Sequence, residues 1–301
     1  MGVVLGQGGE WPGAVAVSGG ADLLALLLLL ADWAADQGLP APVALTVDHG
    51  LQPRSARQAQ DVARRAKQRG LGAHVLRWTG RKPVADIESA AREARYRLMG
   101  DWCRHNAVRC LYVAHSLDDQ AETFLLRLMR GSGVDGLAAM AEVAPFPFDN
   151  CESLTVARPL LGVPRAKLRV FLSGRGESWV EDPMNGDTRF SRARVRAAWP
   201  TLRDLGFSAE RIAAAARHLG RARAALEVDT AALLASASRM QGESLLLDAK
   251  GICAASEEIG RNPYFDTCFI FLLYLVSSRL HPASFRLNDN LVQGRLWGYH
   301  E

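Results

Sequence analysis

Apolar and polar positions alternate along the first half of the chain in blocks that predict strands followed by helices. Short apolar runs are each followed by a longer segment with apolar residues at helical spacing. The predicted strands are 14–17, 43–47, 74–78 and 110–114, and helices are predicted from 22 onwards and over 54–69, 85–105 and 119–130. Such alternation is typical of parallel strands joined by right-handed crossovers. We therefore predict an α/β fold with a doubly wound parallel sheet, whose strand ends gather at one edge, where ligands bind.

The second half of the chain has a different pattern. It predicts a strand at 154–157, a helix from Pro164 to Leu172, an irregular basic segment at 181–200, one or two long helices at 208–240, a β-like stretch at 244–254 and an apolar helix at 264–280. The composition becomes rich in alanine beyond 200–206. We therefore predict an α/β domain at 1–204 and a smaller, mainly helical C-terminal domain at 205–301.

Composition and charge allow two domains of ordinary size. Of 301 residues, 49% are hydrophobic and 23% are charged, and the formal net charge is +4. The segment 158–203 is the basic part, with ten Lys and Arg against four Asp and Glu.

The apolar run 23–31 is shorter than the ~20 residues that span a bilayer, and no Lys or Arg precedes it, so we predict no membrane segment and no signal peptide. Five cysteines without a C-x-x-C pair favour reduced thiols in the cytoplasm and argue against a zinc or iron–sulfur site.

The turn after the first predicted strand has the composition of a phosphate site. Ser18, Gly19 and Gly20 form a turn that only small residues can make, and Asp22 opens the next helix. The unpaired N–H groups and the positive dipole end of a helix start attract an anion such as a phosphate. A plain connection between strand and helix is the alternative, because a short Gly-Gly turn is less specific than a full nucleotide-binding motif.

A second cluster follows the fourth predicted strand. His115 ends this strand, and Asp119 and Glu122 lie three residues apart on one face of the next helix. One carboxylate is enough to cap a helix, and we predict that Asp118 has this role. The pair Asp119 and Glu122 is then available for a site, where two carboxylates suit a magnesium ion or an ammonium group.

Two other candidates have simpler alternatives. Asp48 and His49 follow the second predicted strand at the same sheet edge, but Asp and Gly there are also typical of an ordinary turn. In the predicted helix 85–105, Arg92 and Arg95 share a face, and Glu88 is spaced to pair with Arg92. A charged helix surface explains them unless that face looks at the site, where the fork of Arg95 would neutralise a phosphate.

The basic segment predicts a contact with RNA. Arg189, Arg192 and Arg196 share one face if the segment is helical, and with Arg194 they offer positive charge for RNA phosphates. A solvated basic surface is the alternative.

Six segments match the motifs of one enzyme family. They are SGGAD after AVAV, VDHGLQPRS at 47–55, AAREARY at 90–96, AHSLDDQAETFLLRLMRGSGVDGL at 114–137, RPLLGVPR at 158–165 and WVEDPMNGDTRFSRARVR at 179–196. Together they resemble the tRNA(Ile)-lysidine synthetases of the N-type ATP pyrophosphatase, or PP-loop, family. The last hundred residues are less distinctive.

The resemblance implies a ligase that modifies the wobble cytidine in the CAU anticodon of tRNA(Ile). ATP adenylates the base oxygen at C2 with release of pyrophosphate, and the ε-amine of free L-lysine then displaces AMP. The motif match implies that the ATP phosphates and their Mg²⁺ are bound by Ser18, Gly19, Gly20 and Asp22, with Asp22 as the metal ligand. We also expect Ala21, Asp48, His49 and His115 at the nucleotide. The resemblance further implies that Arg95, Asp119 and Glu122 are catalytic, and that His115 and Asp118 shape the floor of the site.

One position departs from the family pattern SGGxDS, because Leu23 stands where the family has its second serine. The loss of a charge-assisted hydrogen bond to phosphate costs about 1.5–3 kcal/mol, so we predict weak ATP binding. The alternatives are another PP-loop tRNA-modifying enzyme, such as a cytidine thiolase, and a catalytically weak homologue that binds nucleotide or tRNA. A thiolase would need a cysteine cluster, and the sequence has none. The sequence leaves open whether two copies form a homodimer.

Overall fold

The computed structural model describes residues 11–80, 82–83, 85–148, 153–179, 191–241 and 244–248. The strands are β1 (Ala14–Ala16), β2 (Val43–Asp48), β3 (Ala73–Arg77), β4 (Cys110–Tyr112), β5 (Val143–Pro145), β6 (Thr155–Ala157), β7 (Ser238–Gln241) and β8 (Ser244–Leu247). The helices are α1 (Ala21–Asp36), α2 (Ser55–Gln68), α3 (Ile87–His105), α4 (Leu117–Leu128), α5 (Val134–Leu137), α6 (Arg165–Gly174), α7 (Ser191–Asp204) and α8 (Ala209–Ala237). No helix among these residues has the length and apolar composition needed to cross a membrane.

The larger sheet has six strands in the order β3-β2-β1-β4-β6-β5. The first five of these strands are parallel, which confirms the predicted α/β fold with a doubly wound sheet. The strand β5 was not predicted, and it runs antiparallel to β6 at the edge of the sheet. Pro145 ends β5, and an edge strand tolerates a proline because the missing N–H group needs no partner there.

The sheet buries apolar residues on both faces. Val15 in the middle of β1 packs in one core cluster with Leu26 of α1 and Leu172 of α6. Its neighbours Ala14 and Ala16 point to the opposite face and pack in a second cluster that contains Tyr96 of α3. In the apolar run of α1, residues 24–28 and 30 are buried and the other three are partly buried, which explains why its sequence lacks a polar stripe.

One predicted segment is wrong and another lies outside the described residues. The sequence predicted an irregular stretch at 181–200, but residues 191–200 belong to α7, which contains Pro200. The position of a proline does not by itself show where a helix ends, because proline can end a helix, kink it or lie inside its last turns. The predicted apolar helix at 264–280 is outside the described residues.

The chain divides into two compact units, Met1–Arg130 with Met140–Ala214, and Gly131–Ala139 with Ala215–Glu301. The six-stranded sheet belongs to the first unit, and the β7–β8 hairpin belongs to the second. The helix predicted at 208–240 is present as α8, although its last residues form β7 instead. The β-like stretch predicted at 244–254 begins with β8, and residues 249–254 lie outside the described residues. The domain boundary between 204 and 205 stays a prediction.

Candidate active site

The first turn of α1 presents its backbone N–H groups without a side-chain cap. The N-cap residue is Gly20, and Ser18 and Gly19 precede it directly after the strand β1. Gly19 has φ +86°, and a Cβ atom there would lie 3.0 Å from the side chain of Val62. The left-handed backbone conformation therefore favours glycine at this position, and a Cβ atom would also press against Val62. The turn thus leads into a helix start of the kind that binds anions.

The start of α4 is capped by Ser116 and Asp119. The Asp119 Oδ2 atom accepts hydrogen bonds from the Ser116 backbone N at 2.9 Å and from its Oγ at 2.7 Å. In return, the Asp119 N–H group donates to Ser116 Oγ at 3.4 Å, which completes a capping box. Asp119 thus uses one carboxylate oxygen for its own helix and keeps Oδ1 for other partners.

Asp118 caps a different helix from the one that the sequence suggested. Its Oδ2 atom accepts a hydrogen bond of 2.7 Å from the backbone N of Arg165, the first residue of α6. The N-cap residue of α6 is Pro164, whose side chain has no acceptor, so the carboxylate of Asp118 takes that role. The prediction that Asp118 caps α4 is therefore wrong, because Ser116 and Asp119 already cap that helix.

Arg165 joins three acidic side chains from two helices. Its Nε atom lies 3.0 Å from Asp22 Oδ2, and its Nη2 atom lies 2.8 Å from Asp119 Oδ1. Its Nη1 atom lies 3.6 Å from Glu122 Oε1. We call Asp22, Asp119 and Glu122 the acid cluster. The helices that follow β1 and β4 therefore bring their carboxylates to one place. This agrees with the prediction that the ends of the parallel strands meet at one edge of the sheet.

Two arginines of α7 also contact the acid cluster. Arg196 Nε lies 2.6 Å from Glu122 Oε1 and its Nη2 lies 3.1 Å from Oε2, which is a two-point contact. Arg192 Nη1 lies 3.3 Å from Asp119 Oδ1, and Arg192 Nη2 lies 3.3 Å from Thr123 Oγ1. The Glu122 side chain is fully buried, so its charge needs such partners. Three arginines thus face three carboxylates, so the negative charges of the acid cluster are matched by an equal number of positive charges.

The acidic side chains respond differently to burial. Burial raises the pKa of Asp22 above its ordinary value, and the charge of Arg165 offsets only part of this. Burial also acts to raise the pKa of Asp119, but Arg165 and the hydrogen bonds from Ser116 outweigh it and hold the pKa below its ordinary value. The Oδ1 atom of Asp22 is buried and has no hydrogen-bond partner among the described residues. A carboxylate oxygen without a protein partner is of the kind that a divalent cation takes as a ligand.

Asp48 serves the turn that it begins. Its Oδ1 atom accepts hydrogen bonds from Ser55 Oγ at 2.7 Å and from the Gly50 N–H group at 3.0 Å. These hydrogen bonds lower the pKa of Asp48, the one from Ser55 most, against a smaller effect of burial. The ordinary turn that the sequence left as an alternative is present, and a nucleotide contact by Asp48 stays a prediction.

Arg95 lies with His49 and not with the acid cluster. The Arg95 Nη2 atom is 3.4 Å from His49 Nε2, and no contact of the described residues joins Arg95 to Asp119 or Glu122. Burial, with Arg95 and Lys82 nearby, lowers the pKa of His49 to about 4. The imidazole is therefore neutral at pH 7, and its role and that of Arg95 in catalysis stay predictions.

His115 faces charges of both signs. Burial lowers its pKa to about 4, Asp119 acts to raise it, and Arg158, Arg92 and Arg192 lower it further. Its Nδ1 atom is buried without a hydrogen-bond partner among the described residues. His115 is thus neutral at pH 7, near Asp119 of the acid cluster and near the positive side chain of Arg92 on α3.

Sequence reasoning placed some site residues well and missed others. Of the predicted tRNA-binding residues, Arg192 and Arg196 contact the acid cluster, Arg194 is exposed, and Arg189 is outside the described residues. Arg165 was not singled out, because nothing local in RPLLGVPR ties it to Asp22, 143 residues earlier. Among the described residues there is no group of three or more His, Cys, Asp or Glu side chains that could hold a metal ion by itself.

Comparison with known proteins identifies relatives over most of the chain. The family model described as a PP-loop domain matches residues 10–201. A tRNA(Ile)-lysidine synthase of Bradyrhizobium sp. is 44% identical over 81% of this chain and 70% of its own length. Those of Ruegeria pomeroyi and Methylobacterium nodulans are 42% and 37% identical, over 82% and 97% of this chain and 58% and 83% of their own lengths. Against the Ruegeria protein, the chain therefore spans less than two thirds of the relative.

A solved structure shares the fold. The U34-tRNA thiolase NcsA from Methanococcus maripaludis, with its [4Fe-4S] cluster, superposes with a TM-score of 0.56 at 17% identity. The match covers 68% of this chain and 71% of that protein.

Proposed function

This chain belongs to the tRNA(Ile)-lysidine synthase family of PP-loop proteins, and we propose that it attaches free L-lysine to C2 of the wobble cytidine in tRNA(Ile) with a CAU anticodon. ATP is the co-substrate. Adenylation turns the poor leaving oxygen at C2 into AMP, which the ε-amine of lysine displaces. Most of the task of the protein is then to hold three substrates in line and to stabilise charge.

One observation carries this proposal: Asp22 and the pair Asp119 and Glu122 meet around Arg165. Asp22 belongs to the helix that begins at the Ser18–Gly20 turn, which fits the ATP phosphates. Asp119 and Glu122 belong to α4, whose carboxylates fit an ammonium group. The site therefore has one part suited to a nucleotide and one part suited to an amine, in contact with each other.

Asp22 fits a Mg²⁺ ion that accompanies ATP. Its Oδ1 atom is buried without a partner among the described residues, and Mg²⁺ in nucleotide sites takes one or two carboxylates together with phosphate oxygens. Such an ion would neutralise phosphate charge. Ser18, Gly19, Gly20 and Ala21 would bind the phosphates through the helix start, and His49 and His115 would contribute neutral imidazoles at the nucleotide.

The two acids of α4 suit different parts of the amine chemistry. The lysine ammonium must lose a proton before it attacks, and a base with a low pKa is a poor acceptor. Since Asp119 is held ionised below its ordinary pKa, it suits binding of the ammonium group. Glu122 is our candidate for the base because it is the second carboxylate on the same face of α4, and either role requires that the contacts with Arg192 and Arg196 rearrange.

The direct test is incubation of the protein with labelled lysine, ATP and a tRNA(Ile) transcript with a CAU anticodon. We expect one AMP and one pyrophosphate for each lysine attached, and no label on a transcript with another wobble base. Glu122→Gln should lose incorporation, whereas Glu93→Gln, which removes an exposed carboxylate of α3, should keep it. Release of AMP that does not depend on lysine would favour a thiolase, and ATP or tRNA binding without AMP release would favour the weak homologue.

Leu23 provides a separate test of the nucleotide site. The side chain is partly buried against the core, and no hydroxyl is present where the family pattern has serine. We predict that Leu23→Ser tightens ATP binding about tenfold in calorimetry, because a charge-assisted hydrogen bond to phosphate is worth about 1.5–3 kcal/mol. Unchanged affinity would mean that backbone N–H groups are sufficient here.

The proposal for tRNA binding is modified by the structure. Arg192 and Arg196 contact the acid cluster, so Arg194 is the described member of the predicted set with an exposed side chain. Arg194→Gln should weaken tRNA binding and reduce the log–log salt slope by about 0.7–0.9 if it contacts one phosphate. Contacts by the domain 205–301, a homodimer and a cytoplasmic location remain parts of the proposal.

A further inference from the structure

Three arginines at the sheet edge have no carboxylate partner in the part of the chain that the structure describes. They are Arg92 and Arg95 of α3 and Arg158, which directly follows β6, and we call them the cationic cluster. Other arginines do pair with acids: Arg97 with Glu93 and Arg104 with Asp101, both also on α3. The arginines of the cationic cluster thus differ from Arg97 and Arg104 in the contacts that the described side chains make.

The contacts of the cationic cluster are with neutral groups. Arg92 lies over the ring of Tyr96, with its Cζ atom 5.1 Å from the ring centroid. Arg95 contacts the neutral His49, and Arg158 Nη1 donates a hydrogen bond of 2.9 Å to the carbonyl oxygen of Ala141. None of these partners carries a negative charge, so among the described side chains no acid neutralises the three guanidinium groups.

Burial makes this arrangement costly. It lowers the pKa of Arg95 and of Arg158 below the ordinary value, and the charge of Arg92 lowers both further. The Nε atom of Arg158 is buried without a hydrogen-bond partner among the described residues, as are the Nδ1 atoms of His49 and His115. Partly buried charges and unused hydrogen-bonding atoms in one region are typical of a binding site whose ligand supplies the missing partners.

We infer that Arg92, Arg95 and Arg158 bind a phosphate group at a subsite separate from the Ser18–Asp22 turn. A phosphate carries the negative charge that the cluster lacks, and its oxygens match the two-point fork of guanidinium. The inference rests on the proposed function, which supplies two sources of phosphate: a phosphodiester of the tRNA and the phosphates of ATP. The tRNA is the favoured source, since the ATP phosphates already have the helix start of α1.

The experiment measures binding by the full chain, without turnover. Arg92→Gln and Arg158→Gln are compared with wild type and with the control Arg104→Gln, an exposed and paired arginine of α3. Anisotropy with a labelled CAU anticodon stem–loop measures RNA affinity over a range of salt concentrations, and calorimetry measures ATP affinity. We expect each site variant to weaken RNA binding about tenfold and to reduce the salt slope by about 0.7–0.9, with ATP affinity unchanged. The control should change neither.

Other outcomes have defined meanings. Weaker ATP binding with unchanged RNA binding would keep the phosphate subsite and assign it to the nucleotide. Unchanged binding of both would overturn the inference. A lower Tm with equal weakening of all ligands would show a structural role and also overturn it, because removal of an uncompensated charge should leave Tm unchanged or raise it. Arg92→Lys, which keeps the charge and loses the fork, should bind RNA better than Arg92→Gln.

Lysine incorporation by the same wild-type preparation separates this inference from the proposed function. If the site variants lose RNA affinity but wild type attaches no lysine, the function fails and the phosphate subsite stands. If wild type attaches lysine and the variants bind as well as wild type, the subsite fails and the function stands.

Discussion

The acid cluster and the cationic cluster lie on neighbouring elements of one sheet edge but differ in how their charges are balanced. In the acid cluster, Arg165 and two further arginines face three carboxylates, and each carboxylate has a guanidinium partner. In the cationic cluster, the three guanidinium groups contact the ring of Tyr96, a histidine and a carbonyl oxygen, respectively. The first arrangement contributes to folding, since its partners are within the chain. The second has no acid among the described side chains, and under our inference a bound phosphate group supplies the missing negative charge.

The largest expected effect is on the free energy of unfolding, which should fall when an arginine of the acid cluster is removed but not when one of the cationic cluster is removed. Arg165→Met removes the residue that joins Asp22, Asp119 and Glu122 and leaves buried carboxylates without a partner, so the free energy of unfolding should fall by about 3–5 kcal/mol. Arg95→Met removes a partly buried charge that has no acidic partner among the described side chains, so stability should stay within about 1 kcal/mol of wild type or increase. Urea denaturation of both variants checks this. Equal losses would contradict the distinction between the clusters.

The pH dependence of stability tests whether burial and the nearby positive charges keep the imidazoles of His49 and His115 neutral in the folded chain. Burial lowers the pKa of His49 and of His115 to about 4, below the ordinary value of about 6.5 that applies after unfolding. Below pH 6.5 the unfolded chain therefore takes up protons that the folded chain does not, and stability decreases as the pH falls towards 4. A fully shifted histidine loses about 1.4 kcal/mol per pH unit, and partial exposure reduces this.

We therefore expect a loss of about 2 kcal/mol between pH 7 and pH 5, measured by denaturation at each pH. The double variant His49→Gln with His115→Gln should flatten the profile. A wild-type profile that is already flat in this range would show that the imidazoles are not held neutral by burial.

The smallest expected effect on stability comes from the loss of the hydrogen bond between Asp118 and the backbone N–H group of Arg165. Asp118→Ala removes the acceptor for the first N–H group of α6, and the loss of such a cap costs about 1 kcal/mol. Asp118→Asn keeps an acceptor oxygen and should cost less. Thermal unfolding of both variants measures the difference, and equal Tm values for the two would mean that the cap does not contribute.

Most of the fold could be predicted from the sequence, because the patterns that indicate strands and helices are local. Apolar runs and helical spacing give the parallel strands β1 to β4 and the helices between them, and strand ends in a parallel sheet meet at one edge. The same reasoning placed Asp22 near Asp119 and Glu122, since each belongs to a helix that begins at that edge. The edge strand β5 was missed, because its short sequence ends in proline and its pairing is visible only in three dimensions.

The contents of the site could be predicted only in part. The spacing of Asp119 and Glu122 identifies a shared helix face, but it does not say that Ser116 and Asp119 form the cap, or that Asp118 caps another helix. Arg165 belongs to the site through contacts across more than a hundred residues, which no local pattern encodes. Arg192 and Arg196 were correctly assigned to one helix face, but only the packing of α7 shows which charges that face meets.

Consecutive residues of α4 hold opposite ends of Arg165. Asp118 accepts the backbone N–H group of Arg165, and Asp119 accepts its guanidinium. The first turns of α4 and α6 are thereby fastened at two points, so neither helix can shift along the other without releasing both. The amide hydrogen of Arg165 is consequently a natural reporter: its exchange with solvent should speed up whenever the carboxylates separate to admit a substrate.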